Sequence, residues 1–226
     1  MDLDISENLK QIRYNIGEAK ARYRKPEDEI QIMAVTKTVP YQRVNEAVDN
    51  GIALLGENRV QEYLEKKDFY RPDAEVHFIG HLQSNKVKYI INSVSLIHSV
   101  DSIKLAEEID RQAAKNGLCM DVLVEVNIGG EESKSGVSEN EARGLISQAS
   151  QLENIKIKGL MTIPPPGDPE AYFERMQKLF YDLKSEKTDN VNMDILSMGM
   201  SSDYALAVKY GSNIVRIGSG IFGARK

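Results

Sequence analysis

The chain is short of cysteine, of basic charge and of long apolar runs, and each shortage excludes a class of protein. Its one cysteine, Cys119, rules out an internal disulfide and a metal site built from thiolates. Cys119 adjoins the apolar run MDVLVEV and is therefore expected to be a buried, inert thiol. Acidic residues outnumber basic ones, 34 to 29, for a net charge of -5, so a nucleic-acid partner is not expected. No run approaches the roughly 20 apolar residues that cross a bilayer, so no membrane partner is expected either. The opening MDLDISENLKQIRYNI has neither the basic start nor the apolar middle of a secretory signal. These features point to a cytoplasmic protein, and with 41% hydrophobic residues in 226 there is material for a full core.

What is present is a rhythm. Strand-like apolar runs occur at 30–37, 52–58, 75–81, 95–101, 119–128, 155–163, 193–200 and 213–219. Most are rich in Val, Ile and Leu with little alternation, as in strands covered on both faces. Helix-compatible segments separate them. SIKLAEEIDRQAAKNG has Asp101 or Ser102 as N-cap and Gly117 as stop, and SENEARGLISQASQ sets Glu141 three positions after Ser138 as a capping box. Alternating buried strands and helices imply a parallel sheet, and eight strands suffice to close a barrel. Only IFGARK follows the eighth strand, but SENLKQIRYNIGEAKARY precedes the first with Leu9, Ile12, Ile16 and Ala19 on one face. The expectation is an α/β fold, a (β/α)8 TIM-type barrel forming a single domain over residues 1–226. The N-terminal helix would fill the place of the missing eighth. The rival is an open, doubly wound sheet.

Ligands of parallel α/β folds sit at the carboxyl ends of the strands. Those ends offer Lys37, the GENR stretch with Glu57, Asn58 and Arg59, then His81, Asn127, Met161 with Thr162, SMGMSS and RIGSG. MGMSS is expected to open the last helix, so that its amides and the hydroxyls of Ser201 and Ser202 face an anion. Gly218, Ser219 and Gly220 allow backbone to approach the same anion closely. Two such elements after strands seven and eight match the usual phosphate position of barrel enzymes. GSGIFG fits the dinucleotide fingerprint by letter only, because no strand and acidic residue follow it.

Lys37 ends an apolar strand in MAVTKTVP. Partial burial would lower its affinity for a proton, and a neutral amine can form a Schiff base with a carbonyl. Arg216, two residues before Gly218, would share the face of the phosphate-binding end, where a permanent cation keeps a neighbouring aromatic nitrogen unprotonated. The plain alternatives are a solvated strand-end lysine and a salt-bridging surface arginine. His77 and His81 would share a strand face, but a metal would need a third ligand from His98 or a carboxylate, and no metal site is expected.

MAVTKTVP, GENRVQEY, HFIGHLQSNK, EESKSG, GLMTI, SMGMSSDY and VRIGSGIFGAR together resemble the pyridoxal phosphate homeostasis proteins, across nearly the whole chain. The resemblance implies a barrel that binds pyridoxal 5'-phosphate (PLP), similar to the N-terminal domain of alanine racemase. It makes Lys37 the Schiff-base lysine, with Asn58 and His81 lining the pocket and Met161 doing so less directly. Ser201, Ser202 and the amides of Gly218 and Ser219 would hold the phosphate, and Arg216 would face the pyridine nitrogen. It implies a monomeric carrier or regulator of vitamin B6, with PLP-dependent enzymes as recipients, and no catalytic residues. The alternative is a PLP-dependent amino-acid racemase of low activity. Against it, the chain ends at Lys226 and leaves no room for the β-rich domain that supplies a racemase with its opposite-face tyrosine.

Overall fold

A computed structural model describes residues 4–131, 134–186 and 188–224. Glu132 and Ser133 of EESKSG, Lys187, the first three residues and Arg225–Lys226 lie outside the described residues. The chain begins with α1 (Ile5–Tyr23), then runs β1 (Gln31–Val35), α2 (Tyr41–Asp49), β2 (Leu54–Glu57), α3 (Val60–Lys66), β3 (Glu75–Phe78) and α4 (Val87–Ile90). It continues with β4 (Leu96–Val100), α5 (Ile103–Lys115), β5 (Met120–Val126), α6 (Glu139–Ala149), β6 (Ile155–Thr162) and α7 (Glu170–Ser185). Last come β7 (Val191–Ser197), α8 (Tyr204–Lys209), β8 (Ile214–Ile217) and the one-turn α9 (Ser219–Phe222).

The strands are parallel and form a closed barrel in sequence order, β1 to β8. Met33 lies in register with both Leu54 of β2 and Arg216 of β8, which closes the ring. Outward residues such as Ala34, Leu55, Phe78, Ile97, Val124, Leu160, Val215 and Ile217 are buried under the helices. Each large apolar side chain buried there contributes roughly 1.5–3 kcal/mol. Inward residues form small apolar groups, Met33–Leu54–Ile79–Ile214 and Leu96–Leu123–Met161, with polar side chains between them. β6 kinks at Gly159, whose φ is +148° and where a Cβ would lie 1.8 Å from the Ile195 carbonyl oxygen. Only glycine fits there.

The predicted caps form. Ser102, rather than Asp101, accepts from Leu105 N at α5, and Ser138 with Glu141 makes the capping box of α6. α1 lies across the closure between β8 and β1. Asn15 Nδ2 donates to Tyr204 Oη of α8 at 2.8 Å, Arg13 Nη2 to the Asn50 carbonyl after α2 at 2.7 Å, and Asn8 Nδ2 to the Ile221 carbonyl of α9 at 2.9 Å. The leading helix thus takes the place that the four-residue α9 is too short to fill.

Cys119 is exposed, contrary to the expectation of burial. It stands one residue before β5, at the amino-terminal edge of the sheet, and the core position falls to Met120. Among the described residues, no helix is long and apolar enough to cross a membrane.

Candidate functional site

The turn after β1 carries Lys37 in a conformation that is held from outside the barrel. Thr38 has φ +61°, unusual for a β-branched residue and a sign of local strain. Its amide donates to Glu62 Oε1 at 2.5 Å, while Lys66 Nζ donates to the carbonyls of Thr36 at 2.9 Å and Val39 at 3.3 Å. Both clamps come from α3. Glu57, which the strand-end reading places on the rim, is instead fully buried between sheet and helices. It accepts from Tyr70 Oη and lies 3.6 Å from Lys66 Nζ, and burial raises its carboxyl above the usual carboxylate range.

Lys37, half-buried, lines a cavity of about 300 Å³ at the carboxyl ends of β1 and β8, shared with Val35, Thr38, Gly218, Ser219 and Phe222. Gly218 is the N-cap of α9. Ser201 is tied to the same element, because Gly220 N donates to Ser201 Oγ at 3.1 Å. The segment before α8 departs from the expected geometry. Ser201–Asp203 form a turn, and the helix starts only at Tyr204. Asp203 folds back so that Oδ1 accepts from Met200 N at 2.6 Å, which takes up the amide a serine cap was expected to leave free. Ser202 is exposed, with its hydroxyl 3.4 Å from Asp203 Oδ2.

Asn58 closes β2. Its Oδ1 is buried with no hydrogen-bond partner, and its backbone is so close to Gly80 that a Cβ there would lie 2.1 Å from the Asn58 carbonyl oxygen. An orphaned acceptor of this kind costs free energy unless a ligand or water meets it. His81 is exposed, near Asp101 Oδ2 at 3.6 Å and Ser135 Oγ at 3.4 Å. It does not share a strand face with His77, because β3 ends at Phe78. Met161 is wholly buried in the lumen against Leu96 and Leu123. Asn127 serves its own loop, donating to the Glu131 carbonyl at 2.8 Å.

Arg216 is not a surface arginine. It is 3% exposed inside the lumen, where Nη2 donates to the Thr162 carbonyl at 2.8 Å and Nη1 to Ser197 Oγ at 2.7 Å. Burial lowers its pKa to about 10, which leaves it charged at neutral pH. Glu125, at the end of β5, is pushed up to about 7 by burial and by Asp101, with Arg216 acting against the rise. Two lumen residues that strand-end reasoning passes over, Glu125 and His98, are polar residues inside apolar runs. That mismatch was their only signal in the sequence. Among the described residues, no group of three or more side chains is arranged to hold a metal ion.

The closed parallel barrel is matched over residues 8–226 by the family model of the alanine racemase N-terminal domain. The chain is 43% identical over 229 residues to the pyridoxal phosphate homeostasis protein of Aquifex aeolicus, covering 99% of this chain and 100% of that one. It is 36% identical over 227 residues to the Escherichia coli K12 protein of the same name, covering 98% and 97%. Among solved structures it superposes on PipY of Synechococcus elongatus PCC7942 with PLP bound, with a TM-score of 0.83, 33% identity, and 97% and 100% of the chains covered. This chain belongs to the pyridoxal phosphate homeostasis protein family.

Proposed function

We propose that the chain binds PLP at the β1–β8 mouth, holding it through Lys37, and that it acts as a cytoplasmic carrier or regulator of that cofactor rather than as a dedicated enzyme. The observation that carries this reading is the placement of Lys37 in one cavity with Gly218 and Ser219. The surrounding groups fit the cofactor. The orphaned Asn58 Oδ1 seeks a donor, and Arg216 supplies a fixed cation beneath the mouth. When bound, PLP supplies an electron-withdrawing ring and an aldehyde. Lys37 would supply the amine that holds this aldehyde reversibly, at the cavity it shares with Gly218 and Ser219. Ser201, Ser202 and the amides of Gly218 and Ser219 would hold the phosphate, and Arg216 would face the ring nitrogen. Asn58 and His81 would flank the ring, with Met161 beneath. Reversible capture suits delivery to PLP-dependent enzymes, and the relatives' name supports a homeostatic role.

Borohydride reduction followed by peptide mass spectrometry tests the site. A pyridoxyl group on Lys37, absent from Lys37→Ala, is expected; labelling of another lysine with Lys37 unmodified would overturn it. A second reading, slow racemisation of amino acids, draws on Glu125, a carboxyl at the mouth that can exchange a proton near neutrality. Exchange of the α-proton of single-enantiomer amino acids in deuterated water at catalytic rates, lost in Lys37→Ala, would establish that reading in place of the carrier.

A further inference from the structure

Below Arg216 a row of polar side chains crosses the lumen from β7 and β8 to β3 and β4. Arg216 Nη1 lies 2.7 Å from Ser197 Oγ, and Ser197 Oγ lies 3.2 Å from His98 Nδ1. His98 Nε2 is 2.9 Å from His77 Nδ1, and His77 Nε2 is 3.2 Å from Glu75 Oε1. His98 and Ser197 are wholly buried, and His77 nearly so. Only Glu75, at the amino-terminal face of the barrel, reaches water.

The two ends of this row are consistent with one running order of protons through it. A guanidinium can only donate, and an ionised carboxylate can only accept. Ser197 Oγ accepts from Arg216, and its own proton is assigned to His98 Nδ1. His98 must then be neutral with its proton on Nε2, which it donates to His77 Nδ1. His77 in turn carries its proton on Nε2 and donates to Glu75. Electrostatics agree with this assignment. Burial, and after it the charge of Arg216, hold the His98 imidazole well below its usual pKa, and the hydrogen bond from His77 holds the Glu75 carboxyl down to about 2. Glu125 of β5 and Asp203, before α8, also act on Arg216.

We infer that His98, backed by His77 and Glu75, is a positioning residue for Arg216. The one-way relay fixes the guanidinium and turns the Ser197 proton away from it, so that Arg216 meets the mouth in a single orientation. This deepens the PLP reading and rests on it for the identity of the group that Arg216 faces. The design is a buried polar network in which each member is satisfied only in one arrangement, which gives rigidity that an apolar filling would not. Glutamine at position 98 can copy the pattern, accepting through its oxygen and donating through its amide. Leucine cannot.

With three histidines in the chain, ¹⁵N NMR of the cofactor-free protein is simple to assign by single His→Gln variants. The expected result is that His98 is neutral with its proton on Nε2, and that His77 Nδ1 accepts from it. A proton on His98 Nδ1 would overturn the relay without any use of PLP. In the PLP-loaded protein, His98→Leu should weaken retention on the order of tenfold and shift the absorption maximum of the bound cofactor. His98→Gln should stay within about threefold of the wild type and keep its maximum. Identical behaviour of the Leu, Gln and wild-type proteins would overturn the positioning role. If the Leu variant fails to fold, Ser197→Ala, which breaks the same relay one link nearer Arg216, provides the comparison. A wild-type protein with no cofactor band would overturn the PLP reading on which the positioning role rests, a result distinct from either failure of the relay.

Discussion

Lys66 Nζ donates to the carbonyl oxygen of Thr36 across 2.9 Å, tying α3 to the residue just before Lys37. The same ammonium binds the Val39 carbonyl and Glu62, and it lies near the buried Glu57. The turn that presents Lys37 is therefore shaped by side chains outside the barrel.

Lys66→Met removes those bonds and leaves Glu57 with the Tyr70 hydroxyl as its hydrogen-bond donor. The expected loss is roughly 2–4 kcal/mol of stability, because buried acceptors and a buried carboxylate lose their cation. Urea unfolding measures this directly. Borohydride labelling of Lys37 should also slow. A variant as stable as the wild type would show that the clamp is dispensable.

Gly80→Ala should disturb Asn58 from a distance. The new Cβ would lie 2.1 Å from the Asn58 carbonyl oxygen, a backbone atom that cannot step aside cheaply. A cost of about 1–3 kcal/mol is expected, together with weaker PLP retention. Gly144→Ala is the matched control. It lies inside α6 with nothing within 4 Å of the added methyl, so it should stabilise by about 0.4–1 kcal/mol and leave binding unchanged.

Glu125→Gln should alter the pH dependence of stability in a defined direction. The folded state raises the Glu125 pKa from 4.5 to about 7, so it favours the protonated carboxyl. The contribution is fully present below about 4.5 and declines as pH rises through about 7. Glutamine cannot ionise and keeps the neutral state throughout. The variant should match the wild type near pH 4.5 and exceed it by roughly 3 kcal/mol at pH 8. A difference that does not change with pH would contradict the assignment.

Ser201→Ala tests the phosphate cradle. In the wild type, PLP should bind more tightly than pyridoxal, which has the same aldehyde and ring without the phosphate. Loss of the Ser201 hydroxyl should reduce that preference on the order of tenfold while leaving pyridoxal binding unchanged. Equal losses for both ligands would place Ser201 away from the phosphate.

Strand number and order were legible in the chain because buried parallel strands leave continuous Val, Ile and Leu runs. Capping residues such as Ser102 and Ser138 act within a few positions of themselves, so they too could be read directly. Lys37 was conspicuous because an ammonium at the end of an apolar strand contradicts its surroundings. Local order did not decide the start of α8, where Asp203 captures the Met200 amide and displaces the serines from the cap. Nor did it reveal that Glu57 turns outward to Tyr70 and Lys66, or that β3 ends before His81 can align with His77.

By itself, then, the sequence determined the barrel and the rim from which its chemistry is drawn, since hydrophobic period and turn chemistry are short-range properties. Only the tertiary structure decided which polar residues meet inside. Closing the ring brings Ser197 within reach of His98, separated by 99 positions along the chain. It also leaves Arg216 hydrogen-bonded to Ser197 and Thr162 instead of to water. Those partnerships depend on register and barrel closure, and no local pattern encodes either one.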